Sequence, residues 1–166
     1  MNDRPHGGDP IRTTAEPIRV LFLCLHNSAR SQMAEGLLRH IGGDAFESLS
    51  AGSEPTTRVR PLAIEAMREP GIDITDQYPK TLEVYLPEKF DYVVTTCDDA
   101  REACPVFPGA KRVLHWRFDD PSQATGTPEE QLGVFRRILG EIEALIQPFV
   151  LTASHPERDQ AHVENE

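Results

Sequence analysis

The chain has 166 residues, 39% of them hydrophobic, with 14 prolines and 11 glycines. That suits a single domain with a sizeable core and excludes a collagen-like or wholly disordered polymer. With 17 Lys and Arg against 27 Asp and Glu the formal charge is −10, so generic attraction to a nucleic-acid backbone is excluded and a small anion would need a local device.

Residues 1–17 carry almost no apolar periodicity and are expected to be a mobile leader; residues 151–166 are expected to be a mobile acidic tail, leaving a domain at 18–150. Residues 18–23 form a β-rich apolar run, expected as a buried strand. A polar loop follows, and then Met33, Leu37, Leu38 and Ile41 recur with helical period. Gly42-Gly43 closes that helix. A second strand is expected at 46–50 and a short helix over 61–68, opened by Pro61 and ended by Pro70-Gly71. Third and fourth strands are expected at 91–95 and 111–115. In the last helix Thr127-Pro128-Glu129-Glu130 reads as a capping box, and Leu132, Phe135, Leu139, Ile142, Ile146 and Phe149 form one apolar stripe. Strands alternating with helices imply an α/β fold, a mainly parallel four-stranded sheet with helices on both faces. No apolar run approaches the roughly 18 residues of a membrane helix and no signal peptide is evident. The expectation is a cytoplasmic protein with neither membrane nor nucleic-acid partners.

In such a sheet, ligands bind beyond the carboxyl ends of the strands, where the segment 24–31 follows strand one. A loop that enters a helix presents backbone N–H groups to an anion, and the helix dipole adds positive potential. Leu25, His26, Asn27, Ser28, Ala29, Arg30 and Ser31 are therefore candidate oxyanion-binding residues, with Arg30 able to fork onto two oxygens. The same field favours an ionised thiol at Cys24, Ser31 can hydrogen-bond its sulfur, and Asn27 tolerates the left-handed backbone a tight loop needs. A buried structural thiol is the bland alternative for Cys24.

The Cys24-x5-Arg30-Ser31 loop, with Asn27 three residues past the cysteine, resembles the phosphate-binding loop of low-molecular-weight protein tyrosine phosphatases and of the arsenate reductases that share their fold. The resemblance spans residues 18–150, because Asp119-Asp120-Pro121 falls where that family places its acidic loop. It implies that Asp120, directly before proline, is the general acid, with Asp119 in reserve. Two positions depart from the pattern: His26 stands where many members have glycine, and Ala29 replaces a second loop cysteine. Glu35, Ser50 and Asn27 match part of the potassium site of some relatives, yet Lys80 is positioned in the chain to supply positive charge instead. No metal or cofactor is expected.

Two further cysteines divide the possible activities. A phosphatase needs one nucleophilic thiol and an acid, whereas reducing arsenate to arsenite takes the two electrons released when two thiols become a disulfide. Cys97 and Cys104 lie just after strand three, seven positions apart, a spacing similar to that of thioredoxin-coupled arsenate reductases. The resemblance implies a relay: Cys24 attacks arsenic, Cys97 attacks Cys24, and Cys104 attacks Cys97, leaving a disulfide that thioredoxin reduces. The implied partners are arsenate, with phosphate or sulfate competing, and thioredoxin. Such successive pairing requires residues 96–105 to move. The alternatives are a tyrosine phosphatase of the same fold, a non-enzymatic oxyanion sensor, and a zinc site joining both cysteines to His115.

Overall fold

The computed structural model describes residues 16–98 and 105–154. Strand β1 (Ile18–Cys24) is the apolar run already evident in the sequence, and Val20, Leu21, Phe22 and Leu23 are fully buried. A strand hidden on both faces reads as continuous hydrophobicity rather than alternation because parallel strands flank it. Strands β2 (Phe46–Gly52), β3 (Phe90–Thr95) and β4 (Ala110–His115) complete a four-stranded sheet. Its order is β2-β1-β3-β4 and every pairing is parallel. The strands run one or two residues past the expected ends, most usefully at Gly52, which pairs with Cys24. At the outer edge, β4 turns Lys111, Arg112 and Val113 to solvent, and charge on an edge strand discourages pairing with another chain.

Three α-helices cover one face: α1 (Arg30–Gly42), α2 (Pro61–Arg68) and α3 (Pro128–Ala153). Their apolar sides meet Val20, Phe22 and Val94 in one large core cluster. Gly43 ends α1 at φ +60°, a conformation glycine adopts without a Cβ penalty. Helix α3 opens with the capping box read from the sequence: Glu130 N–H donates to Thr127 Oγ1 at 3.1 Å and Thr127 N–H to Glu130 Oε1 at 2.8 Å. All six residues of its expected stripe are buried. At its far end Phe149 meets Phe46, Tyr92 and Trp116 with ring centroids 5.0 to 5.9 Å apart.

Helices are shared unequally between the faces. Opposite the three α-helices a smaller cluster, Leu21, Leu23, Ala51, Phe90, Val93 and Phe107, is covered among the described residues by the 3-10 turn Leu82–Tyr85 and by the chain from Phe107 to Ala110. That turn had no periodic signal, since one turn of helix is too short to show a period.

Ile142 lies at the centre of the α3 stripe and is 0% exposed. Ile142→Ala is expected to lower unfolding stability by about 2–5 kcal/mol, read from urea denaturation midpoints; an unchanged midpoint would contradict this account of the core.

Candidate active site

Strand order reverses at β1: the chain passes first to β2 on one side and then to β3 on the other. The crevice of an open parallel sheet lies at that reversal, beyond the carboxyl ends of the two strands. Cys24 ends β1, and Cys97 follows β3 by two residues. Thr96 holds the two strand ends together, its N–H donating to Leu23 O at 2.8 Å and its hydroxyl to the same oxygen at 3.1 Å. Neighbouring strands run about 4.8 Å apart, so the backbones bearing both cysteines are adjacent.

The Cys24 thiol is free and 2% exposed. Asn27 N–H donates to its sulfur at 3.1 Å and Ser31 Oγ stands 2.9 Å away. Asn27 adopts φ +51°, the left-handed turn expected of it, and its side chain is fully committed. Its Nδ2 donates to Ser31 Oγ at 2.8 Å and to Ser50 Oγ at 3.0 Å. Its Oδ1 accepts from Gln32 Nε2 at 3.0 Å and from Lys80 N–H at 2.9 Å. Because Ser31 Oγ accepts from Asn27, its own hydrogen is available to the sulfur. Ser50 in turn donates to Glu35 Oε1 at 2.5 Å.

Glu35 is a buried carboxylate held between two cations, Arg39 Nη2 at 2.6 Å and Lys80 Nζ at 3.8 Å. Burial pushes the Lys80 ammonium below its ordinary pKa, and Glu35 opposes that shift. Lys80 therefore brings its charge to the position where the sequence matched only part of a potassium site.

Arg30, the first residue of α1, is 3% exposed. Its Nη1 donates to Phe118 O at 3.2 Å and its Nη2 lies 3.7 Å from Asp120 Oδ2. Asp120 Oδ1 accepts from Ser122 N–H at 3.0 Å and Ser122 Oγ at 2.7 Å. Burial pushes the Asp120 carboxyl up, but the Ser122 hydrogen bonds and the Arg30 charge outweigh it and hold the group below the usual carboxylate range. Asp119 pairs instead with Arg137, at 3.5 Å. A cavity of about 590 Å³ opens above the loop and is lined in part by Leu25, His26, Asp98, Asp119 and Asp120.

The loop is braced from behind. Leu25 O accepts from Glu54 N–H at 2.8 Å, His26 O from Thr56 N–H at 3.1 Å and Ser28 O from Arg60 N–H at 2.9 Å. A Cβ on Gly52 would sit 2.6 Å from Leu25 O, so glycine is required there for close approach. Sequence reasoning missed Gly52, Gln32 and the Lys80 backbone; the Ser50-Ala51-Gly52 run was the available signal. Ala29 is buried beside the loop. Cys97 is 1% exposed and disulfide-bonded. Cys104 and most of the segment expected to move lie outside the described residues. His115, the third member of the alternative zinc set, has its Nδ1 2.8 Å from Thr95 Oγ1.

A free thiol held by two donors, beside a buried guanidinium and the N-terminus of a helix, suits a sulfur nucleophile facing an anion. The chain belongs to the low molecular weight phosphotyrosine protein phosphatase family, whose model matches residues 19–160. Among its relatives, the arsenate reductase of Halalkalibacterium halodurans is 47% identical over 80% of this chain and 95% of its own length. That of Bacillus subtilis is 41% identical over the same shares. A solved arsenate reductase in its phosphate-binding state superposes with TM-score 0.70 at 30% identity, covering 81% of this chain and 98% of that one. The thioredoxin-dependent arsenate reductase of Corynebacterium glutamicum gives TM-score 0.61 at 34% identity, covering 83% of this chain and 65% of its own.

Because the Asp120 carboxyl is depressed in the folded protein, its contribution to stability is present above the unfolded value, about pH 4, and is lost as pH falls through the lower folded value. Asp120→Asn is expected to be less stable than the parent at pH 7, with a narrower gap at pH 3. Urea midpoints at both pH values check this; a gap that widens in acid would contradict it.

Proposed function

We propose that the protein is an arsenate reductase in which Cys24 is the nucleophile and the oxidation passes through Cys97 and Cys104 to thioredoxin. The observation that carries this reading is where the sulfur-bearing residues stand: Cys24 ends β1 as a buried free thiol in the anion loop, and Cys97 follows the adjacent strand β3 by two residues, with Thr96 tying the two strand ends together. The arsenate reductase relatives of matching length and the thioredoxin-dependent one of the same fold support it.

Arsenate is received by the loop amides of residues 25–31 and by Arg30, with phosphate and sulfate as competitors of the same shape. Ser31 and the Asn27 N–H stabilise the Cys24 thiolate as it attacks arsenic. The arriving dianion takes Arg30 away from Asp120 and sets a like charge beside it. Both changes raise the proton affinity of Asp120, which can then protonate the departing oxygen as water. Cys97 next attacks Cys24, and the electron pair of the sulfur–arsenic bond leaves with arsenite. Cys104 attacks Cys97, and thioredoxin supplies two electrons to the resulting disulfide. A relay of this kind belongs in the reducing cytoplasm.

The family also contains phosphatases, and the set Cys24, Arg30 and Asp120 would serve that chemistry too. Arsenate-dependent NADPH consumption with thioredoxin and its reductase separates the two readings. Cys24→Ser, Cys97→Ser and Cys104→Ser are each expected to lower multiple turnover by at least about 10³-fold, since each removes a thiol no neighbour replaces. If only Cys24→Ser matters and aryl phosphate is hydrolysed rapidly, the protein is a phosphatase.

A further inference from the structure

Gln32 and Gln77 are two amides that the steps above leave without a task. Gln32 is 0% exposed in the first turn of α1, and Gln77 reaches it from the loop after α2. Arg39 Nη1 donates to Gln77 Oε1 at 3.0 Å, and Gln77 Nε2 donates to Gln32 Oε1 at 2.8 Å. Gln32 Nε2 donates to Asn27 Oδ1 at 3.0 Å and Asn27 Nδ2 to Ser31 Oγ at 2.8 Å; that hydroxyl stands 2.9 Å from the Cys24 sulfur. A Cβ on Gly36 would lie 3.2 Å from Gln77 Oε1, so α1 is bare where this side chain passes.

An amide that turns over exchanges its donor for its acceptor, but main-chain groups oppose this at every link. Gln77 Nε2 also faces Gln32 O at 3.0 Å, and Gln32 Nε2 faces Asn27 O and Tyr78 O, each at 3.0 Å. Carbonyl oxygens only accept, so a nitrogen must face them. Asn27 Oδ1 meets the Lys80 N–H at 2.9 Å, and a backbone N–H only donates. Each link therefore donates toward the sulfur, and the first donor is a guanidinium. Hydrogen bonds in such a chain polarise one another, and a stronger hydrogen bond to a charged form favours that form.

We propose that Gln77 and Gln32 are positioning residues that transmit the polarisation of Arg39 through Asn27 and Ser31, so that the Cys24 thiolate meets a hydroxyl already polarised toward it. The role rests on the reading of Cys24 as the nucleophile. The other charged groups around the loop lie outside this chain: Arg30 pairs with Asp120, and Glu35 is held by Lys80 and the second terminal nitrogen of Arg39 and meets Asn27 only through Ser50.

The test is alkylation of Cys24 by iodoacetamide in reduced protein from pH 5 to pH 10, followed on the Cys24 peptide by mass spectrometry, for the parent, Gln77→Met and Gln77→Glu. In Gln77→Met the space is filled without a donor, and in Gln77→Glu the carboxylate still accepts from Arg39 but offers Gln32 no hydrogen. Both profiles are expected to move to higher pH. The rate at pH 6 should fall about threefold in Gln77→Met and further in Gln77→Glu, with the plateau at high pH and the inorganic phosphate affinity as in the parent. A profile unmoved in Gln77→Met would overturn the proposal, even if Gln77→Glu moved through its added charge. So would a fall in plateau and phosphate affinity in step with the rate at pH 6, the mark of a loosened loop. Alkylation needs no arsenate, so this result is independent of whether the parent reduces arsenate.

Discussion

Everything at the site depends on one buried side chain. Asn27 turns the loop through a left-handed residue and places all of its amide's hydrogen-bonding capacity against Ser31, Ser50, Gln32 and Lys80. Its own N–H and the Ser31 hydroxyl then converge on the Cys24 sulfur. Buried polar groups are costly unless satisfied, and none of the described buried side-chain polar atoms lacks a partner. The network ends on Glu35, whose charge inside the protein is compensated by Arg39 and Lys80. A chain of hydrogen bonds anchored at both ends has few alternative arrangements, and the sulfur is thereby presented in one orientation before any ligand arrives.

The sheet supplies the second requirement, that two cysteines from distant parts of the sequence follow neighbouring strand ends. The reversal of strand order at β1 does this through backbone register alone, with Leu23 opposite Thr95. The unequal coverage of the sheet is relevant as well. Cys24 is buried beneath the loop on the face that carries the large core cluster, while Phe107, an edge-to-face partner of Phe90 at 5.5 Å, belongs to the small cluster on the other face.

Much of this was legible in the sequence where the signal is local. The apolar run of β1, the loop entering α1, and the capping box of α3 depend on neighbours in the chain, and each forms as read. The choice of Asp120 over Asp119 came from the proline that follows it, and Asp120 is the one beside Arg30. What escaped depends on pairing between remote segments. Gly52 matters because β2 runs two residues further in register with β1, bringing its Cα under Leu25 O. Lys80 matters through its backbone N–H as much as its ammonium, and no composition or period encodes where a main-chain donor will point. The 3-10 turn Leu82–Tyr85 was invisible because its placement follows from the small cluster it covers.

The central claim is that Cys24 begins and ends the cycle as a thiol while the oxidation leaves through Cys97. Thiol mapping by peptide mass spectrometry, after one equivalent of arsenate is given to reduced protein without thioredoxin, tests it most directly. One arsenite per chain, an alkylatable Cys24 and a disulfide joining Cys97 to Cys104 are expected in the parent, with a Cys24–Cys97 disulfide accumulating in Cys104→Ser. Arsenite formed with no disulfide in either protein, or a parent whose final disulfide contains Cys24, would contradict the account.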